Sequence, residues 1–202
     1  MNPIVLASGS PRRRQLLEMV DLAFRVVVPE VDEARAPAEL PEGYVTRLAR
    51  EKAATVAARE AGAVVLAADT TVVLRGHIFG KPATPEEAAR MLRRLEGRKH
   101  QVMTAVAVAQ NGRLEHALDV TDVTFRSLSH DQIAAYVATG EPLDKAGAYA
   151  IQGRGAALVE GIRGDFFSVM GLPLRLALEL LERFGVPYSF GKADTGARAP
   201  HP

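Results

Sequence analysis

Short apolar runs, each closed by a polar turn, divide this chain into strands and amphipathic helices. Ile4-Val5-Leu6-Ala7 is continuously apolar, the pattern of a strand buried on both faces. Ser8-Gly9-Ser10 breaks it; Ser10 suits a helix N-cap, Pro11 the first helical position, and Leu16, Leu17 and Val20 an apolar helix face. Phe24 to Val27 alternates like a strand and runs into the acidic loop Pro29-Glu30-Val31-Asp32-Glu33. An alanine-rich helix is expected over Gly43 to Glu60, with Tyr44, Leu48 and Lys52 on one face. Ala63 to Ala68 reads as a buried strand that ends in Asp69-Thr70-Thr71 and resumes as Val72-Val73-Leu74.

The second half follows the same grammar. Arg75-Gly76-His77 is a turn, and Ile78-Phe79-Gly80-Lys81-Pro82 returns from it. Thr84-Pro85-Glu86-Glu87 has capping-box spacing and opens a helix that stops at Gly97. Asn111-Gly112 joins two strands, Val102 to Ala109 and Leu114 to Phe125, into a hairpin. Ser129 and Gln132 box a helix running to Val137. Gly140 to Gly155 is a long irregular stretch whose glycines, charges and apolar side chains point to an ordered functional loop. A strand over Ala157 to Ile162 and a helix over Leu172 to Phe184 follow. The pattern predicts an α/β protein with a mixed sheet: one catalytic domain over 1–190 and a frayed tail over 191–202.

Composition removes several classes of function. A net charge of +1 offers no global field for duplex nucleic acid. Without cysteine there are neither disulfides nor thiolate sites, and the five histidines show no metal-ligand spacing. No signal peptide or apolar run of spanning length is present, so a cytoplasmic protein without membrane or nucleic-acid partner is expected. Five of the 25 basic residues are lysines, which marks Lys52, Lys81 and Lys145, each in a polar setting, as chosen for their compact ammonium.

The remaining chemistry sits in polar islands. Arg12, Arg13 and Arg14 crowd a helix start, where cations oppose the dipole but backbone N–H groups favour an anion. They are solvated surface charges or the seat of a polyanion. Asp69 interrupts a buried strand, which is costly unless the carboxylate is paired, metal-bound or open to a cleft. Lys52 is a snorkelling stem or a cleft-facing ammonium. Asp32 and Glu33 can bind a divalent cation or face solvent. Cations for phosphates, with carboxylates for Mg²⁺ and water, meet the needs of phosphoanhydride hydrolysis. The Gln152 amide, donor and acceptor at once, can read a base edge or hold its own loop.

Six segments together resemble one family. Ala-Ser-Gly-Ser-Pro-Arg-Arg (7–13), Ala-Arg-Glu-Lys-Ala (49–53), Ala-Asp-Thr (68–70), Gly-Lys-Pro (80–82), Asp-Lys-Ala-Gly-Ala-Tyr-Ala-Ile-Gln-Gly (144–153) and Val-Met-Gly-Leu-Pro-Leu (169–174) occur in order, as in the Maf family. The resemblance implies a cytoplasmic nucleoside triphosphate pyrophosphatase with an elongated fold shared with inosine triphosphatase-like enzymes. That fold is a mixed, twisted sheet in two lobes with a central nucleotide cleft. The segment around Gln152 is similar to the branch acting on dTTP and UTP. Carried over by position, Asp69 is the proton acceptor, and Arg12, Thr70 and Gln152 are specificity positions. Ser8, Arg13, Lys52 and Lys81 surround the phosphates, and Glu33 with Asp69 holds a divalent cation, Mg²⁺ or Mn²⁺. A homodimer is implied as well. Two other readings are an inosine or xanthosine triphosphatase and a nucleotide-sensing regulator of cell division.

Overall fold

A computed structural model describes residues 3–190. In chain order the elements are β1 (Ile4–Ala7), α1 (Pro11–Met19), β2 (Phe24–Val27), α2 (Pro41–Ala57), β3 (Val64–Leu74), β4 (His77–Phe79) and α3 (Pro85–Leu95). They continue with β5 (Lys99–Gln110), β6 (Arg113–Phe125), α4 (His130–Ala138), β7 (Val159–Arg163), α5 (Phe166–Met170) and α6 (Leu174–Arg183). The sheet order is β2-β1-β3-β5-β6-β7, with β4 also on β3. β1 pairs in parallel with β2 and β3, and the remaining pairs are antiparallel, so the expected mixed sheet is present.

β3 is the spine, and its two edges differ. β5 pairs with one edge from Val65 to Val73. The other edge is shared: β1 takes Val64 to Leu66 and β4 takes Val72 to Leu74. Ala67 to Thr71 therefore have no strand partner on that side among the described residues. The strand stays continuous through Asp69, where the sequence suggested an interruption, because β5 supplies its hydrogen bonds throughout.

Side chains of a strand alternate between faces. On one face of β3, Val65, Ala67 and Val73 pack with Met103 and Ala105 under Val45, Ala49, Ala53 and Val56 of α2. The opposite face carries two separate cores. Leu66 and Val106 lie with Leu16, Leu17, Leu172 and Leu180 in one, and Val72 and Val102 lie with Phe79, Leu92, Phe125 and Ile133 in the other. Between them Thr70 and Thr104 stand opposite in register, Oγ1 to Oγ1 3.0 Å, and Thr104 donates to the Ser168 carbonyl at 2.8 Å. This polar seam divides the two lobes.

Local chemistry explains where the elements depart from expectation. α2 starts at Pro41, a proline suited to the first turn, and stops at Ala57. Helix α5 was not legible; Asp165 caps it, accepting from the backbone N–H of Phe167 (2.8 Å) and Ser168 (3.2 Å). Gly171, at φ +115°, ends α5, so the final helix begins only at Leu174. A 3₁₀ turn over Gly153–Leu158 delays the last strand to Val159. The hairpin turn at Asn111 and Gly112 (φ 50° and 81°) and the Ser129–Gln132 capping box form as expected. The expected tail from Gly191 lies outside the described residues. Among those described, no helix is long and apolar enough to cross a membrane.

Candidate active site

A cavity of about 700 Å³ opens at the unpaired edge of β3. Its lining includes Ser8, Arg12, Arg13, Glu33, Lys52, Asp69, Thr70, Lys81 and Gln152, so the fold brings together every site residue expected from sequence. The open edge explains how Asp69 and Thr70, on opposite faces of one strand, both reach it. The size suits a nucleotide-scale ligand.

The β1–α1 turn supplies the first wall. Ser8, only 4% exposed, accepts from the Ser10 N–H at 3.1 Å and from Arg13 Nη1 at 3.2 Å. Ser10 sits at the N-cap position, yet its side chain makes no capping bond, contrary to the sequence reading. Arg13 reaches across the lobes: Nε donates to the Gly171 carbonyl at 2.8 Å and Nη2 to Thr70 Oγ1 at 3.3 Å. Burial pulls its guanidinium below the ordinary arginine value, with Asp69 and Glu33 opposing that shift and Arg12 adding to it. Of the arginine triplet, Arg14 turns away to pair with Glu18 at 2.8 Å on the surface.

The second wall is an ion cluster. Lys52 is 8% exposed, and its ammonium lies 2.6 Å from Asp69 Oδ1 and 2.6 Å from Glu33 Oε1. It is thus no snorkelling stem. Asp69, also 8% exposed, escapes the cost of solitary burial through this partner. Burial would raise the Glu33 carboxyl, but the Lys52 hydrogen bond, with Lys81 and Arg13 nearby, holds it below the usual range. The loop carrying Glu33 is tied to α2 by Tyr44, whose hydroxyl donates to the Glu33 carbonyl at 3.0 Å. Asp32, its neighbour, instead accepts from the Ala34 N–H at 2.8 Å and does not line the cavity.

The third wall comes from the irregular stretch. The Gly147 N–H donates to the Gly80 carbonyl at 3.0 Å, joining this stretch to the turn before Lys81. Lys145 lines the cavity and donates to the Glu141 carbonyl at 2.7 Å and to Asp144. Arg12, Lys81 and Gln152 form no side-chain hydrogen bond or ion pair among the described residues, whereas Ser8, Arg13, Glu33, Lys52, Asp69 and Thr70 are all engaged. The site is therefore a fixed polar floor rimmed by three polar side chains without such partners among the described residues. Sequence reasoning missed Thr104 and the Gly171 carbonyl, since an inward threonine and a backbone oxygen leave no pattern.

No grouping of three or more His, Asp or Glu with metal-binding geometry occurs among the described residues. Two carboxylates meeting at Lys52 nevertheless fit a divalent cation, because Mg²⁺ is commonly held by one or two carboxylates with substrate phosphates completing its shell.

A family model described as Maf-like protein matches residues 3–184. The chain belongs to the Maf family. Its Maf relatives include a protein of Symbiobacterium thermophilum, 51% identical over 96% of this chain and all of that one. A second, from Myxococcus xanthus, is 55% identical over 91% of this chain and 93% of its own, and one from Escherichia coli is 52% identical over 91% and 94%. All three are named dTTP/UTP pyrophosphatase. A solved HAM1 protein from Coxiella burnetii aligns over 91% of this Maf chain and 98% of its own, at 17% identity and a TM-score of 0.49.

Proposed function

We propose that this Maf protein hydrolyses dTTP and UTP between the α- and β-phosphates, releasing the nucleoside monophosphate and pyrophosphate. The observation that carries this reading is the Lys52–Asp69 pair at the open strand edge, facing a cavity rimmed by cations. The names of the relatives supply the substrate class.

In this reading Asp69 accepts the proton of the attacking water. Lys52 fixes the carboxylate, since a base must be held within hydrogen-bond reach of the proton it takes. Arg12 and Lys81, without protein partners among the described residues, bind the phosphates and offset charge on the departing pyrophosphate. Arg13, locked to Ser8, Thr70 and the Gly171 carbonyl, is a preorganised donor that needs no rearrangement during the reaction. Glu33 and Asp69 would hold a divalent cation, Mg²⁺ or Mn²⁺, which when bound draws charge from the phosphate oxygens. Thr70 and Gln152 face the base. A homodimer and a cytoplasmic location complete the proposal.

The test is product analysis over a panel of nucleotides. UMP and pyrophosphate from UTP, with UTP preferred to ITP in competition, is the expected result. Release of inorganic phosphate from UTP would overturn the cleavage site, and preference for ITP the substrate class.

A further inference from the structure

Gln152 sits at the crown of a short loop whose two ends are tied to each other by side chains from outside the cavity. At one end the Ala150 N–H donates to the Tyr136 hydroxyl at 3.2 Å. That hydroxyl donates in turn to Glu141 Oε1 at 2.9 Å, and the same oxygen accepts the Gly155 N–H at 2.9 Å. The other carboxylate oxygen accepts the Arg154 N–H at 3.1 Å. The result is a continuous hydrogen-bonded relay, Ala150 to Tyr136 to Glu141 to Gly155, across the neck of the loop that carries Gln152.

The neck is tight as well as bonded. A Cβ on Gly155 would lie 2.3 Å from the Ala150 carbonyl oxygen and 2.6 Å from the Tyr136 hydroxyl. Gly153 takes φ +67°, and a Cβ there would lie 2.9 Å from Glu141 Oε2. Only glycine lets the chain fold this closely over the carboxylate. Tyr136 is anchored by burial, 6% exposed in the α3–α4 core. Burial would raise the Glu141 carboxyl, but hydrogen bonds from the Gly155 N–H, Tyr136 and the Arg154 N–H hold it below the usual range, so it stays an acceptor. Neither residue lines the cavity. Gln152 itself has no side-chain hydrogen bond among the described residues, so its aim depends on its backbone alone.

We propose that Tyr136 and Glu141 are specificity-determining positioning residues, which set base selection by fixing the loop that presents Gln152. The inference rests on the reading of Gln152 as a base-facing group. A polar reader rejects the wrong base by leaving buried groups unpaired, and that penalty exists only if the reader cannot move to relieve it. A loosened neck lets Gln152 adapt, so discrimination falls while the hydrolytic floor around Asp69 is untouched.

The experiment measures kcat and KM for UTP and CTP in Tyr136→Phe and Glu141→Gln, with Gln152→Leu as reference and thermal melts to show that each variant is folded. Tyr136→Phe keeps the ring in its core, and Glu141→Gln keeps the shape while replacing an acceptor. We expect each to narrow the UTP:CTP ratio of kcat/KM by roughly fivefold or more through KM, the scale of one mispaired polar group. The kcat on UTP should stay within about threefold, since no transition-state contact is removed. Tyr136→Phe combined with Gln152→Leu should narrow the ratio no further than Gln152→Leu alone, because both act through one group. An unchanged ratio in both neck variants, with Gln152→Leu narrowing it, overturns the proposal and leaves the reading of Gln152 standing. If Gln152→Leu leaves the ratio unchanged while the neck variants narrow it, the reading of Gln152 fails and the proposal with it, since the neck then acts through another group. No change in any of the three overturns both.

Discussion

Thr70 and Thr104 share a hydrogen bond whose direction is fixed by their neighbours. Thr104 donates to the Ser168 carbonyl, so the proton between the two hydroxyls comes from Thr70, which in turn accepts from Arg13 Nη2. The chain Arg13 to Thr70 to Thr104 to Ser168 runs one way across the seam. Thr70 therefore has only acceptor capacity to offer a ligand in the cavity, its one proton being committed. Thr104→Val, which preserves shape at a fully buried position, should remove one of the two donors to the Ser168 carbonyl, which keeps the Gly171 N–H at 2.9 Å, and free the Thr70 proton. The expected loss is about 0.5–1.5 kcal/mol, the scale of one hydrogen bond, or roughly 1–6 °C in Tm for a chain of this size. A calorimetric scan with Tm unchanged would show that the seam carries no stability.

The ion cluster predicts opposite consequences for its members. Removing one partner of a buried pair costs about 3–5 kcal/mol when a charge is left alone. Asp69→Asn leaves Lys52 paired with Glu33, so folding should survive while kcat falls by at least ~10²-fold, the scale of a lost general base. Lys52→Met leaves two carboxylates facing each other, and should lose both activity and several degrees of Tm. Equal melting temperatures for the two variants would contradict this asymmetry.

His100 predicts an acid-sensitive fold. It is 2% exposed, its ring edge-on to Phe125 and its Nε2 sharing a 2.9 Å hydrogen bond with the Tyr149 hydroxyl. Burial pushes its pKa from 6.5 down to about 4, partly opposed by the Arg98 backbone. Between those values the unfolded chain binds a proton that the folded chain refuses, so stability falls as pH drops through the window. The loss approaches about 3 kcal/mol near pH 4. His100→Gln keeps a polar partner for Tyr149 and cannot titrate. Urea unfolding at about pH 7 and pH 4.5 should show the variant losing roughly 2 kcal/mol less than the parent on acidification. Identical acid losses would mean that His100 is protonated in the folded state.

Gly147 seats the third wall on the spine. At φ +71° it presses against Val72, whose Cγ2 would lie 2.8 Å from an added Cβ. Gly147→Ala should cost about 2–4 kcal/mol from left-handed strain and overpacking together. Because the Gly147 N–H also holds the turn before Lys81, KM for the nucleotide should rise in the same variant. A normal KM in the folded fraction would separate the wall from phosphate binding.

Much of this was legible because it depends on short-range rules. The Asn111-Gly112 hairpin, the Ser129 capping box and the buried run before Asp69 each follow from a few adjacent residues. Asp69 announced itself because a carboxylate inside an apolar strand needs a reason. The illegible parts depend on distant partners. That Lys52 would meet both Glu33 and Asp69 requires α2 to lie on β3, and the Tyr136–Glu141 relay requires a helix and a loop to converge. Helix α5 is too short to show a period, and its cap, Asp165, is one acid among 24 acidic residues.

The divided edge of β3 has a consequence for how this enzyme can diverge. Asp69 and Thr70 are one peptide bond apart, and β5 fixes their register through the pairs Asp69–Ala105 and Thr70–Thr104. A single-residue slip would exchange the two faces of the strand and carry each group into the other's compartment. With the roles proposed for Asp69 and Thr70, bond cleavage and base contact inherit one ruler, and an insertion or deletion in the spine between β5-paired positions moves both together. New substrates are open to this scaffold only through the loops at its rim, where length and sequence can vary without moving the strand.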